Sequence, residues 1–351
     1  MRPESLQFGV SRTGRREGES VSEPFVSQAD GYIRWLRERV GPRLIYLVYA
    51  ANLVFDEAGR LLVQRRYDFD WLGVPGGALE LDEGIRACAE RETLEETGLR
   101  VEVERLVGVF SHPAYNLRYP NGDCVQQWTA CVVSRPVGGQ LHADGSETLA
   151  VTWLAVDEAL PRFPPAYRAM VRAALESPGE AVLEPVYAGP ALTPYYPLLR
   201  AVVGHAPVIL PGAMGLVPNE RGELLCTRRT DDGLWHPPSG YADLGETTTA
   251  TIIREVREET GLSVEPLRIM GVYSETPLML ARYPNGDMVH NVGIAFECRI
   301  AGGALRADGD EASAVAFKPV EELLAQPFVG LTDTPQLLRD YLRRDGWPVL
   351  R

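Results

Sequence analysis

The stretch "REVREETGLS", residues 254–263, sets Glu255, Glu258 and Glu259 beside Arg254 and Arg257 and closes on Gly261-Leu262. Alone it reads as the solvated face of a helix. The chain repeats it, however: "RETLEETGLR" occupies 91–100, 163 positions earlier. Glu92/Glu96 and Glu255/Glu259 are i, i+4 pairs, and like charges at that spacing destabilise a bare helix by about 0.2–0.5 kcal/mol. The helical period puts the three glutamates of each copy on one side. Gly98 and Gly261 stand where a helix C-terminus favours a left-handed residue, so the pattern predicts helices over 84–97 and 247–260. A hard cation between the carboxylates makes the cluster favourable. Oxygen-only ligands on a short, rigid scaffold suit Mg²⁺ or Mn²⁺, which keep several waters and take substrate phosphates as further ligands. With no Cys or His in either cluster, Zn²⁺ is not expected.

The repetition extends outward from the two acidic runs. "DEAGRLLVQRR" (56–66) matches "NERGELLCTRR" (219–229), and "RYPNGD" occurs at 118–123 and at 282–287. "GGQLHADGSE" (138–147) matches "GGALRADGDE" (302–311). The period far exceeds a solenoid unit, so the chain is read as two complete homologous domains, 31–180 and 181–351. Residues 1–30 lie outside the repeat and are expected to form a flexible arm. The joint is placed near 176–194, which is dense in Pro and Gly. Each unit reads as strand, turn, strand, loop, helix, strand, hairpin, strand, strand, helix. "NG" in "YPNGD" predicts a type I′ hairpin turn with both central residues at positive φ. Thr334 is expected to cap the last helix, with Pro335 at its first position. A mixed sheet between helices, an α/β (α+β) fold, follows.

Upstream of each acidic helix lie "VPGGALELDEG" (74–84) and "PPSGYADLGET" (237–247), irregular turns of Pro and small residues. Together these segments resemble the Nudix hydrolases, whose motif is Gly, five residues, Glu, seven residues, then Arg-Glu-apolar-any-Glu-Glu-any-Gly-apolar. The first copy has Gly77, Glu83, Arg91, Glu92, Glu95, Glu96, Gly98 and Leu99; the second has Gly240, Glu246, Arg254, Glu255, Val256, Glu258, Glu259, Gly261 and Leu262. Thr93 stands where an apolar residue is usual, a mild departure because its methyl can pack. The resemblance implies two tandem α/β/α sandwiches, which could pack as a pseudo-dimer within one chain. It also implies roles. Glu92, Glu96, Glu255 and Glu259 would be the principal metal ligands, Glu95 and Glu258 would bind a further ion or its water, and the carbonyls of Gly76 and Ser239 would complete the shell. Arg91 and Arg254 would orient the carboxylates. The reaction would be attack of water on a phosphoanhydride of a nucleoside diphosphate linked to another group. Glu147 and Glu311, outside the motif, are the candidate bases.

Other residues keep two readings. Arg66 and Arg229 at strand ends either contact phosphate or form structural ion pairs. Tyr119 and Tyr283 either stack on a base or pack in the core. His236 and His290 have no counterpart histidine in the first copy and read as ordinary polar residues. Cys88 reads as a small buried side chain.

The formal net charge of −13 disfavours a nucleic-acid polymer as partner. The five cysteines form no CxxC pair, and no apolar run approaches the ~20 residues of a membrane span, so a cytoplasmic protein is expected; a small nucleotide ligand is what the resemblance implies. A monomeric pseudo-dimer and a homodimer are both compatible with the pattern. Two other functions stay open: a ligand-binding sensor on the same fold, and one catalytic domain scaffolded by the other.

Overall fold

The computed structural model describes residues 31–67, 71–145, 148–283, 285–327, 333–344 and 348–351. The expected arm, 1–30, and Glu147 lie outside the described residues.

Each repeat builds one mixed sheet and one small antiparallel sheet. In the first, Leu44–Val54 runs parallel to Cys124–Gly139, with Leu99–Phe110 and Gly76–Ala78 antiparallel on the flanks. Leu61–Arg66 pairs with Leu72–Gly73 and Thr148–Leu154. The second repeats this with Val208–Leu216, Met288–Gly303, Leu262–Tyr273 and Ser239–Tyr241, and with Leu224–Arg229 between Trp235–His236 and Ala312–Lys318.

Helices cover both faces. Ile85, Cys88 and Ala89 of helix Ile85–Thr97 share a core with Ala50 and Leu106, whereas Met170 and Val171 of helix Pro165–Glu176 share another with Ala51 and Val107. Neighbouring residues of one strand thus divide between two cores, as pleat alternation requires when the cores lie on opposite faces. This is the expected α/β/α arrangement. The first core does not stop at one repeat: Tyr46 and Leu47 share it with Tyr195, Leu199, Leu210 and Val256. Hydrogen bonds cross there too. Tyr46 Oη donates to the Asp243 carbonyl (2.9 Å), and the Ile209 amide donates to Tyr32 Oη (3.0 Å).

Three local expectations need correction. In "YPNGD" only Gly122 has positive φ, at 92°, and Asn121 does not. The Gly122 amide donates to the Tyr119 carbonyl and the Tyr119 amide to the Asp123 carbonyl, both at 2.9 Å. Pro120 and Asn121 are therefore the turn centre and the glycine follows as a bulge, because proline's fixed φ suits the first centre of a type I turn. Helix Asp333–Arg343 begins one residue before the expected cap Thr334, whose hydroxyl faces His236 Nδ1 at 3.5 Å. The two histidines are buried. His236 Nε2 meets Asp232 at 3.0 Å. His290 Nε2 meets the Ser274 carbonyl at 2.8 Å, and burial pushes its pKa down.

Candidate active site

The acidic helices span Ile85–Thr97 and Thr248–Thr260, each ending at its left-handed glycine, Gly98 or Gly261. On each, one arginine gathers the motif carboxylates. Arg91 Nε and Nη2 grip Glu83 at 2.7 and 2.8 Å, while Nη1 reaches Glu92 at 2.7 Å and Glu95 at 3.1 Å. Arg254 grips Glu246 at 2.6 and 3.1 Å and reaches Glu255 at 2.7 Å and Glu258 at 3.2 Å. A planar guanidinium with five donors can hold three carboxylates at once; an ammonium could not hold one of them bidentately. Glu92 is half-buried and Glu255 buried against the preceding loop. A Cβ on Gly77 or Gly240 would lie 2.2 Å from the carboxyl carbon of Glu92 or Glu255, so only glycine leaves room for that carboxylate.

Glu96 is held from a different side. Its oxygens accept from Gln64 Nε2 (3.1 Å), Arg66 Nη1 (3.3 Å) and the Gly76 amide (2.9 Å). Burial nevertheless pushes Glu96 up to about 7, against the pull of these donors. Glu255 is likewise pushed up to about 7 by burial, and Glu259 is raised by burial and by the charges of Glu255 and Glu311. Thr227 Oγ1 and the Ser239 amide face Glu259. Gly76 and Ser239 thus touch the cluster through their amides. Glu95 and Glu258 are exposed. Glu311 is exposed near the second cluster, and its charge is felt by two of its carboxylates.

The first site opens into a cavity of about 430 Å³, whose lining includes Tyr49, Arg66, Glu92, Glu96, Tyr119 and Gln127. Tyr119 Oη lies 3.2 Å from Tyr49 Oη. In the second repeat Tyr283 Oη lies 2.6 Å from Tyr241 Oη. The partner tyrosines come from different strands. Tyr49 pairs across the sheet with Ala78, and the matching pair is Gly212 with Tyr241, so the aromatic ring has changed strand. Arg66 and Arg229 also differ. Arg66 reaches Glu96, whereas Arg229 grips Asp231 at 2.9 and 2.7 Å.

Sequence reasoning missed Gln64 and Thr227. Both stand two residues before the flagged arginines, on inward positions of a strand, where a polar side chain among apolar neighbours was the available signal. It also missed the exchange of tyrosines, which shows only when register is known.

A model of the NUDIX domain matches residues 46–174 and again 209–340. The chain belongs to the Nudix family. This Nudix hydrolase is 35% identical over 151 residues to a MutT-like protein of Streptomyces ambofaciens, a match covering 43% of this chain and 90% of that protein. It is 31% identical over 131 residues to an ADP-ribose pyrophosphatase of Methanocaldococcus jannaschii, covering 37% and 70%. Among solved structures, an ADP-ribose pyrophosphatase from Streptococcus suis aligns at 22% identity with a TM-score of 0.32, covering 40% of this chain and 96% of that one. Nudix hydrolases generally use divalent metal ions. Among the described residues of this one, no three acidic or histidine side chains already close on a single point as a metal shell. The donor set fits a hard cation all the same. It is all oxygen, it sits in a cradle that a Cβ would fill, and burial raises Glu92, Glu96 and Glu255 against the pull of their neighbouring arginines. No helix among the described residues is long and apolar enough to cross a membrane.

Proposed function

We propose that this Nudix hydrolase cleaves a phosphoanhydride in a nucleoside diphosphate linked to another group, using Mg²⁺ or Mn²⁺, and that both domains, 31–180 and 181–351, do so. The observation that carries the reading is the arginine bracket, present in both repeats on the same three glutamates at nearly equal distances. Glu92, Glu96, Glu255 and Glu259 would hold the ion, with the carbonyls of Gly76 and Ser239, and Glu95 and Glu258 would hold a further ion or its water. When bound, the ion lowers the pKa of its water and neutralises charge on the bridging phosphates. Glu311 is the base for the second site, supported by the effect of its charge on Glu255 and Glu259. Glu147 is assigned the same part in the first. Arg66 and Tyr119, at the wall of the first cavity, and Arg229 and Tyr283 in the second repeat would contact substrate. The pyrophosphatase relative supports the substrate class.

A second reading, one working domain, is favoured by a single observation: Arg229 is held by Asp231, whereas Arg66 reaches a metal-site glutamate. The deciding experiment is a panel of dinucleotides, sugar nucleotides and nucleoside triphosphates assayed with each ion. Release of a mononucleotide from a linked diphosphate is expected. Turnover of none of them under either ion would leave the fold as a binding module.

A further inference from the structure

Two serines outside the motif occupy matching places. Ser111 and Ser274 each follow the long strand after the acidic helix, Leu99–Phe110 or Leu262–Tyr273. The hydroxyl of each accepts a bond from the opposite repeat. The Ile85 amide, first in the first acidic helix, donates to Ser274 Oγ at 2.9 Å. The Thr248 amide, first in the second, donates to Ser111 Oγ at 3.0 Å. The first amides of a helix have no partner within it and need one from outside. Here each catalytic helix takes that partner from the other repeat.

Both serines are themselves held. The Ser111 hydroxyl and amide bond to the carboxylate of Glu184, the amide at 2.8 Å and the hydroxyl at 2.6 Å. The Ser274 amide donates to the Arg351 carbonyl, and its hydroxyl reaches the same oxygen at 3.2 Å. The segment following each repeat's last helix therefore aims the serine, through Val182 beside Gly108 and Val349 beside Gly271.

The two caps are unequal. Thr247, at the start of the second helix, also caps it from within, accepting from the Ala250 amide. The first helix starts at Gly84, with no side chain to offer. Nor could one be added freely, because a Cβ there would lie 3.0 Å from Glu275 Cγ. Two residues into the loop before it, Glu83 carries Arg91, and Arg91 carries Glu92 and Glu95.

We infer that Ser274 and Ser111 are positioning residues that seat the metal-binding helices in trans, so that each active site is completed by the opposite repeat. Ser274 is the more important of the two. The inference rests on the proposed function for its catalytic arm alone.

Hydrogen exchange of the full chain tests it without any assay. Ser274→Ala should lower protection of the amides from Ile85 to Cys88 by roughly fivefold and leave those from Thr248 to Thr251 unchanged. Ser111→Ala should do the reverse, and more weakly. Ser274→Thr, which keeps the hydroxyl, should restore the first helix. In a Glu259→Gln background, Ser274→Ala should cut kcat of the first site several-fold, while Ser111→Ala should not. Should Ser274→Ala fail to fold, Ser274→Cys, a poor acceptor, takes its place. Protection lost in the serine's own repeat, or equally in both, would overturn the inference. So would unchanged protection at 85–88. An inactive Glu259→Gln background would count against two working sites while leaving the exchange result to stand or fall by itself.

Discussion

Thr93 lies on the acidic helix with its hydroxyl buried, donating to the Ala89 carbonyl at 2.7 Å and accepting from Asn52 Nδ2 at 2.8 Å. Packing of its methyl is therefore only part of its place. The second repeat solves the same contact with no polar atom: Val256 packs where Gly215 leaves space, its Cγ2 3.3 Å from an added Cβ. Thr93→Val alone leaves Asn52 Nδ2 only its longer bond to the Ala89 carbonyl, at 3.4 Å, and should cost about 0.5–1.5 kcal/mol in denaturant unfolding. Combined with Asn52→Gly, which copies the second repeat, the loss should be smaller than the sum of the two single changes. Additive losses would show the pair is not coupled. Gly77 carries a second prediction. A methyl there meets the Glu92 carboxylate at 2.2 Å. The carboxylate is the movable partner, so Gly77→Ala should cost the fold only about 1–3 kcal/mol. A catalytic group displaced by about 1 Å costs on the order of 100-fold in rate, and the first site, measured in a Glu259→Gln background, should lose that much. Near-normal turnover would remove Glu92 from the metal shell.

The joint between the repeats is more than a linker. Its Pro and Gly content reads as loop, but Ala188–Thr193 pairs with Leu244–Glu246, and Val182 bridges to Gly108. Glu184 is buried, and burial pushes it up to about 7 although Ser111 and the His112 amide stabilise its charge. Its titratable neighbours, Tyr46 and Tyr115, are themselves raised and bring no compensating cation. The folded-state pKa thus exceeds the unfolded one. The folded chain binds the extra proton between the two values, so stability is full below about 4.5 and declines as pH rises through about 7. At full extent the loss is on the order of 3 kcal/mol. Between about pH 5 and pH 8 the native chain should lose stability relative to Glu184→Gln, which does not titrate. A pH-independent difference would show that Glu184 is ionised at little cost. The turn at 119–123 belongs to the same scale. "NG" alone suggested a two-residue loop, but Pro120 moved the turn centre one position back.

For the molecule as a whole, the two brackets predict two working sites. Losing one inner carboxylate should cost a site at least ~10²-fold, by analogy with loss of a single oxyanion donor. Glu96→Gln and Glu259→Gln should each leave a substantial fraction of total activity, and the double variant almost none. Abolition by one change and silence of the other would make the silent domain a scaffold. A chelator should abolish hydrolysis, and Mg²⁺ or Mn²⁺ should restore it; activity surviving complete metal removal would end the metal-dependent reading. The sequence by itself determined the duplication, the acidic helices with their glycine ends, and the arginine that binds their carboxylates. The duplication is read from the repeated segments and the helices from spacing, where residue number converts directly to position; the arginine's role was implied by the resemblance to the Nudix family. Tertiary structure alone decided that Gln64 and Thr227 reach the clusters, that a tyrosine has changed strands between Tyr49 and Tyr241, and that Ser111 and Ser274 cap the opposite repeat. Such contacts join residues far apart in the chain, and strand periodicity names a face without naming what lies against it. Which atoms meet across the repeats depends on how two sheets and the segments at 182–184 and 349–351 pack together, and that is settled by the shared core rather than by any local pattern.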